Sequence, residues 1–207
     1  MFIRIAVIVT AAWIACLQAA VVGLLQGKTC YSSCGVFAVS TQRRNVIVSI
    51  LFVVFGGPGI ILLYLPLWIT RFRIPAGEPL AQILIAAALI LVGIAPGLES
   101  VRRFIYVGKG TLVPVAPPRH LVVTGFYRYV RNPMYAGVLI ALAGEAILFW
   151  NRTIVIEAAL ACIGFNLFIR LREEPSLVRH FPKEYARYMS HVPRWLPRLT
   201  PWNGSRA

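Results

Sequence analysis

The sequence predicts an all-α integral membrane protein, a helical bundle of about five transmembrane helices with a helical hairpin and a C-terminal interfacial helix. Two observations predict this fold class. Hydrophobic residues make up 58% of the 207 residues and charged residues only 14%, whereas about 25% of residues are charged in soluble proteins. The apolar residues also form runs of nearly 20 residues, the length that a helix needs to cross a bilayer. A soluble fold of this size could not bury so much apolar surface.

Five apolar runs account for the predicted helices. In order, they are Ile5–Leu25, Val46–Ile69, Leu80–Leu98, Met134–Trp150 and Thr153–Ile169. The first three are long enough to span the membrane, and the second contains a break at residues 56–58. The last two are shorter, and we interpret them as a tight helical hairpin that turns at Asn151-Arg152. The first run also fits a secretory signal, since Arg4 precedes it, but it is longer than a usual signal core.

The basic residues predict the orientation and argue against a nucleic-acid partner. The net charge is +14, but Lys and Arg are concentrated between the apolar runs, where multi-pass membrane proteins keep their cytoplasmic loops. With the N-terminus outside, most of these residues fall in cytoplasmic segments. Among them are the long third loop, which joins the third and fourth apolar runs, and the tail, Leu171 to Ala207. Cys30 and Cys34 then lie in a reducing compartment as free thiols or one local disulfide. No metal site is predicted, because no other cysteine or histidine pair follows at metal-ligand spacing.

Two short motifs flank the hairpin on its predicted cytoplasmic side. Gly108-Lys109-Gly110 permits close approach of the backbone to a ligand, or it is simply a flexible helix exit. A Rossmann loop is excluded, because no strand precedes these glycines. Glu173-Glu174 comes directly after the last apolar run. These carboxylates either bind a cation or ribose hydroxyls, or they form a solvated helix end neutralised by Arg170 and Arg172.

The segment before the fourth run combines a helix start with polar side chains. Pro133 suits the first turn of a helix, and Asn132 then occupies the N-cap position. Arg131 lies at the membrane boundary, where it can bind an anion. His120 is a possible base or ring-nitrogen donor, although an isolated loop histidine is often neither.

Two further acidic residues lie near the hairpin turn. Glu145 and Glu157 are each about 8 Å from Asn151-Arg152 by helical rise. We expect them to form an ion pair or a hydrogen bond involving Arg152, and we assign them no catalytic role.

The tail is basic, aromatic and rich in proline. The spacing of Leu177, Phe181 and Tyr185 predicts an amphipathic helix over Pro175–Met189 that lies on the membrane surface. Trp195 and Trp202 suit the headgroup region.

Taken in order, these motifs resemble the isoprenylcysteine carboxyl methyltransferases and the related phospholipid N-methyltransferases. The similarity covers about residues 105–198, nearly half of the chain. The matching pieces are Gly108-Lys109-Gly110, Gly125-Phe126-Tyr127, Arg131-Asn132-Pro133-Met134-Tyr135-Ala136-Gly137, Glu173-Glu174, Phe181 to Tyr188, and Val192-Pro193. Two positions depart from the family pattern: Asn132 stands where a histidine is usual, and Pro182 where a glycine is usual.

The resemblance implies S-adenosylmethionine as cofactor, bound at the cytoplasmic face, and a lipid-like or prenylated acceptor that reaches the site from the bilayer. It implies a cofactor site formed by Gly108, Gly110, His120, Tyr127, Arg131, Asn132, Pro133, Tyr135, Glu173 and Glu174. The candidate catalytic residues are His120, Arg131, Arg172 and Glu174. An arginine would orient an acceptor carboxylate or phosphate, and His120 would deprotonate an amine. Asn132 cannot carry a proton at neutral pH, so a base at that position is in doubt.

Two alternatives and the acceptor stay open. Sterol and enoyl-lipid reductases resemble the same C-terminal half but use NADPH, and a non-catalytic membrane scaffold could retain the fold. The acceptor is a prenylated cysteine, an amino phospholipid, a quinone-like or isoprenoid lipid, or a small hydrophobic thiol or acid. The chain is expected to form one domain, in which residues 1–78 provide lipid-facing helices and residues 79–207 form a methyltransferase-like core.

Overall fold

The computed structural model describes residue 51 and residues 55–73, 77–106 and 120–204, and these are helical and irregular segments with no strand among them. The first apolar run, the cysteines Cys30 and Cys34, and the glycines Gly108 and Gly110 lie outside the described residues. The predicted division at residue 78 therefore stays a prediction.

Five helices of eight or more residues form the described part. They are α1 (Gly57–Ile69), α2 (Leu80–Tyr106), α3 (Pro133–Phe149), α4 (Arg152–His180) and α5 (Pro182–His191), with a 3-10 turn at Gly125–Arg128 before α3. Two segments are π-helical, Ile60–Tyr64 in α1 and Ile169–Glu173 in α4. The prediction of an all-helical protein is confirmed for these residues.

Glycines bring α2 and α3 into backbone contact. A Cβ atom on Gly137 would overlap the carbonyl oxygen of Gly93, and one on Gly144 would lie 2.8 Å from the carbonyl oxygen of Ala86. Helices inside a membrane associate through such small residues because close packing replaces the hydrophobic driving force. Gln82 adds a hydrogen bond between the helices, since its Nε2 donates to the carbonyl of Ile147 over 2.9 Å.

The hairpin turn lies where the sequence predicted it. Trp150 ends α3 in the left-handed conformation, with φ 46°. The next residue, Asn151, caps α4, and its Oδ1 accepts a hydrogen bond from the backbone N–H of Thr153 over 2.8 Å. Asparagine at this position satisfies an N–H that has no partner within the helix. These two residues reverse the chain between α3 and α4.

The expected contact of Arg152 with the two acidic residues of the hairpin is wrong. Arg152 is exposed. One carboxylate oxygen of Glu145 and both of Glu157 are buried and have no hydrogen-bond partner among the described residues. Arg152 and Glu157 are five positions apart, whereas facing pairs on a helix are three or four apart. The arginine therefore extends away from the turn while the carboxylates face inward.

Helix α4 continues beyond Ile169, where the sequence predicted its end. Glu173-Glu174 therefore lies within a continuous helix of 29 residues. The π-helical turn Ile169–Glu173 ends two positions before Pro175. Proline has no N–H to donate to the carbonyl four residues earlier, here that of Leu171, and a local π turn accommodates such an interruption.

The predicted surface helix over Pro175–Met189 is wrong in both extent and environment. The chain leaves helical geometry at Phe181 (φ −134°, ψ 62°), and α5 starts at Pro182. The apolar side of α5 packs against the protein, where Tyr185, Tyr188 and Val192 are buried. An amphipathic pattern predicts that one side of a helix is covered but does not identify what covers it. The apolar side of α5 is covered by the protein itself.

Two helices in the described part of the chain are long and apolar enough to cross a membrane. They are Leu80–Arg103 within α2 and Arg152–His180. Gly57–Ile69 and Pro133–Phe149 are shorter apolar helices. Leu84, Leu91 and Leu98 are exposed at seven-residue intervals along one side of α2, as expected of a helix that faces lipid. These helices are consistent with a helical membrane protein, while the predicted number of five spans stays a prediction.

The contact between α2 and α3 predicts different effects for two glycine substitutions. Gly137→Ala should lower the free energy of unfolding by about 1–3 kcal/mol, because its methyl group must displace the backbone at Gly93. Gly97→Ala, in α2, should be neutral or slightly stabilising, since a Cβ there meets nothing within 4 Å. Thermal unfolding in detergent, followed by tryptophan fluorescence, measures both; equal melting temperatures would contradict the contact.

Candidate active site

Polar side chains meet where α2 ends and α3 begins. They come from five parts of the chain: the last turns of α2, the segment that leads into the first turn of α3, the final third of α4, helix α5, and the tail after α5. The residues that form this polar cluster are Ser100, Tyr127, Arg131, Asn132, Tyr135, Glu173, Glu174, Tyr185, Tyr188 and Arg194. All lie in the described residues, and most are buried or half-buried.

Glu174 is the centre of the polar cluster. Its Oε1 accepts hydrogen bonds from Nη1 of Arg131 over 3.0 Å and from Nε of Arg194 over 2.9 Å. Its Oε2 accepts from Nη2 of Arg194 over 2.7 Å. The Arg194 contact is therefore bidentate, the geometry that gives arginine–carboxylate pairs their strength. Two guanidinium groups thus share one carboxylate.

The predicted neutralisation by Arg170 and Arg172 is wrong. Both side chains are exposed, and the ion pairs of Glu174 are with Arg131 and Arg194. Residues one or two positions apart on a helix do not face each other, so Arg172 cannot follow the glutamates inward. The cations come instead from distant parts of the chain.

Glu173 has a different partner from its neighbour. Its Oε2 accepts a hydrogen bond from the hydroxyl of Tyr135 over 3.0 Å. The Tyr135 ring packs against Phe165, with 4.9 Å between the ring centroids. This packing restricts the ring, so the Tyr135 hydroxyl holds the carboxylate from the first turn of α3.

One donor of Arg131 has no acceptor in the part of the chain that the structure describes. Its Nη1 binds Glu174, and its side chain also forms a hydrogen bond with Tyr185. Its Nε is buried and has no acceptor among the described residues. A buried guanidinium N–H without an acceptor is unfavourable, so this atom is a candidate contact for an oxygen of a bound molecule.

Asn132 links the start of α3 to the tail. It occupies the predicted N-cap position but makes no side-chain capping bond. Its Nδ2 instead donates to the carbonyl of Arg194 over 3.3 Å. The predicted N-cap position is confirmed, while the side chain binds the tail instead of an N–H of the helix. Pro133 lies in the first turn of α3, as predicted.

Burial keeps the tyrosine hydroxyls of the polar cluster neutral. The Tyr188 hydroxyl donates to the carbonyl of Tyr127 over 2.6 Å, and the Tyr127 hydroxyl forms a hydrogen bond with Ser100. Loss of solvation raises the pKa of Tyr127 and of Tyr188 well above 10.0. It also raises the pKa of Tyr185, to about 12. These groups therefore act as hydrogen-bond donors at neutral pH.

The tail is fixed to the segment before α3 by backbone hydrogen bonds. The N–H of Arg131 donates to the carbonyl of Pro193 over 2.9 Å, and that of Arg198 to the carbonyl of Tyr129 over 3.0 Å. The N–H of Trp202 donates to the carbonyl of Arg128 over 2.9 Å, and Nε of Arg128 donates to the carbonyl of Trp202 over 3.1 Å. The tail therefore forms one wall of the polar cluster.

The structure brings together most of the residues that the sequence predicted for the site. Those in the polar cluster or directly beside it are Tyr127, Arg131, Asn132, Pro133, Tyr135, Glu173 and Glu174. His120 and Arg172 are exposed, and Gly108 and Gly110 lie outside the described residues. Their assignments stay predictions.

Sequence reasoning missed Arg194, Ser100 and the role of Tyr185 and Tyr188 in the site. Arg194 could have been found by asking which cations neutralise two acids that follow an apolar run. It directly follows the Val192-Pro193 motif, whereas Ser100 has no sequence signal of its own.

Removing Arg194 should destabilise the protein. Arg194→Met leaves Glu174 with one partner instead of two, and loss of one member of a buried ion pair is expected to lower the free energy of unfolding by about 2–4 kcal/mol. The matched control is Arg179→Met, since Arg179 is an exposed arginine of α4. Thermal unfolding in detergent compares the two; a melting temperature for Arg194→Met as high as that of the control would contradict the bridge.

The buried tyrosines predict loss of stability at high pH. The pKa of Tyr185 is raised from 10.0 to about 12, so the folded protein retains a proton that the unfolded chain releases. Below pH 10 both states hold this proton, and the free energy of unfolding keeps its full value. It falls by up to about 2–3 kcal/mol as the pH rises from 10 through 12. Melting temperatures between pH 9 and 11.5 should fall more steeply for the natural protein than for Tyr185→Phe. Parallel curves would show that this tyrosine does not contribute.

Comparison with known proteins agrees with the resemblance seen in the motifs. The phospholipid methyltransferase family model matches residues 81–184, which is half of the chain. The match includes α2, α3 and α4 and ends before Arg194. A comparison with curated proteins finds no match. The matched region contains Arg131, Tyr135 and both glutamates of the polar cluster. Because the match covers half of the chain, the chain belongs to the phospholipid methyltransferase family of membrane methyltransferases.

Proposed function

We propose that the protein uses S-adenosylmethionine to methylate a lipid-like acceptor at the cytoplasmic face of its membrane. The observation that carries this proposal is the placement of Glu173 and Glu174 in the last third of a long apolar helix, within a buried cluster of arginine and tyrosine side chains. Carboxylates in such surroundings are uncommon without a function. The family match supports methyl transfer as that function.

The chemical groups of the polar cluster fit the cofactor. S-adenosylmethionine offers an ammonium group, a carboxylate and two ribose hydroxyls. Glu173 and Glu174 can accept hydrogen bonds from the ammonium or the hydroxyls. The Nε–H of Arg131, which has no acceptor among the described residues, can donate to the carboxylate. Gly108 and Gly110 would add close backbone contacts, as the resemblance predicts.

The reaction needs little chemistry from side chains. The cofactor supplies an electrophilic methyl group on a positively charged sulfur, and the acceptor atom forms its bond to this carbon as the carbon–sulfur bond breaks. The protein must therefore orient the reactants in line and exclude water. The ion pairs of Glu174 with Arg131 and Arg194 hold the polar side chains in fixed positions for this purpose.

The acceptor is proposed to enter from the bilayer. Arg131 or Arg172 would orient its phosphate or carboxylate. A carboxylate acceptor needs no base, whereas an amine must first lose a proton, and His120 is the candidate for that step. Asn132 cannot take this role, since it has no titratable group and its amide is bound to the carbonyl of Arg194. Because the family model is that of a phospholipid methyltransferase, an amino phospholipid is the first acceptor to test.

Substitution of Glu173 tests the cofactor site. Glu173→Gln removes the charge but preserves an oxygen that can accept from Tyr135. Loss of a hydrogen bond to a charged group should weaken S-adenosylmethionine binding by about 10–100-fold. The control is Glu157→Gln in the same helix, which should bind the cofactor like the natural protein. Isothermal titration calorimetry in detergent gives both constants.

Undiminished binding by Glu173→Gln would remove this residue from the cofactor site. A melting temperature for each variant distinguishes loss of binding from loss of the fold.

The acceptor is identified by methyl transfer to a total lipid extract. Purified protein with radiolabelled S-adenosylmethionine should label one lipid class, with amino phospholipids as the expected product. Binding of NADPH without binding of S-adenosylmethionine would instead support the reductase alternative, and binding of neither would support the scaffold.

A further inference from the structure

We propose that residues 194–202, the C-terminal loop, anchor the polar cluster to the membrane by inserting Leu196 and Leu199 into the bilayer boundary. These side chains are 79% and 99% exposed. They lie on an irregular segment rather than on a spanning helix, so the fold of the predicted spans does not account for them. The proposal concerns the placement of the protein and is independent of the reaction.

The two leucines are exposed although hydrogen bonds hold the loop that carries them in place. Arg194 binds Glu174 at one end of the C-terminal loop, and the N–H of Trp202 donates to the carbonyl of Arg128 at the other. Between them, the N–H of Arg198 donates to the carbonyl of Tyr129, and its Nη1 donates to the carbonyl of His191 over 2.8 Å. Because the backbone is held on both sides of Leu199, this side chain extends outward from a fixed position.

Trp195 attaches the C-terminal loop to α4 at a second point, further from the polar cluster. Its Nε1 donates to Oδ1 of Asn166 over 3.0 Å. Asn166 precedes Glu174 by eight residues, which is about 12 Å along a helix. Adjacent side chains of the loop thus contact α4 at two depths: Arg194 at the polar cluster, and Trp195 closer to the apolar part of the helix.

The surface of α4 near Asn166 is suited to lipid. Ile163 is 58% exposed and Leu167 is 53% exposed, on either side of Asn166 in the sequence. A tryptophan whose N–H is bonded is typical of the membrane interface, and the asparagine that accepts this bond lies between these exposed aliphatic residues in the sequence. Leu196 follows Trp195 directly, so it lies at the same boundary.

A bilayer fits the C-terminal loop better than a protein partner does. Two separated leucines cannot provide the roughly 800 Å² per partner that a stable protein interface buries. Shallow insertion into lipid needs only a few aliphatic side chains, with nearby cations for the headgroups. Pro197 and Pro201 also reduce the number of backbone N–H groups that would have to leave water.

Fluorescence quenching in vesicles tests the insertion. All four native cysteines are replaced by alanine, and Leu196→Cys, Leu199→Cys or the control Lys183→Cys is labelled with the polarity-sensitive dye NBD. Lys183 is exposed on α5, away from the buried tyrosines. In phosphatidylcholine–phosphatidylglycerol vesicles, the dye at 196 and 199 should emit at shorter wavelength and lose intensity with doxyl-labelled lipid. The dye at 183 should be quenched by aqueous iodide instead.

Iodide quenching at 196 and 199 as strong as at 183 would overturn the proposal, because the leucines would then face water. Protection from both quenchers would also overturn it, since a protein surface would be covering them. The melting temperature of each labelled variant should equal that of the cysteine-free parent. A lower value would mean that these leucines belong to the core, which equally contradicts the anchor.

Discussion

The structure depends on the carboxylate of Glu174, which is shared between Arg131 and Arg194. These residues are 43 and 20 positions away from it in the chain. A buried charge is tolerated only when it is paired and hydrogen-bonded, so this contact fixes the relative positions of α4, the segment before α3, and the tail. Asn132 and Tyr135 come one and four positions after Arg131, and their own bonds to Arg194 and Glu173 depend on the same arrangement.

Local features of the fold were predictable, whereas its long-range pairings were not. The turn at Asn151 and the position of Pro133 follow from patterns within a few residues, as does the hypothesis of a site at Glu173 and Glu174. The choice of Arg194 over Arg172 does not, because both are arginines near an acidic pair and only tertiary packing distinguishes them. The environment of α5 was missed for a related reason: an apolar stripe has the same spacing whether lipid or protein covers it.

Two kinds of packing meet in α4. Its first part exposes aliphatic residues such as Leu160 and Ile163, and its last part brings Glu173 and Glu174 among arginine and tyrosine side chains. The π-helical turn Ile169–Glu173 accommodates Pro175, so one continuous helix contributes both the exposed aliphatic residues and the two glutamates. A polar cluster in the last third of an apolar helix lies between the regions from which a molecule dissolved in water and one dissolved in lipid would come, as the proposed methylation of a lipid requires.

The amide of Asn132 has a consequence for the acid response of this protein. A histidine at that position would have its pKa lowered from about 6.5 by the two guanidinium groups that already share a single carboxylate, so it would gain a positive charge only as the surroundings became acidic. Repulsion would then strain the junction between α3 and the tail. Asparagine has no charge to gain, so this chain keeps the junction unchanged across a pH range in which an imidazole would act as a switch.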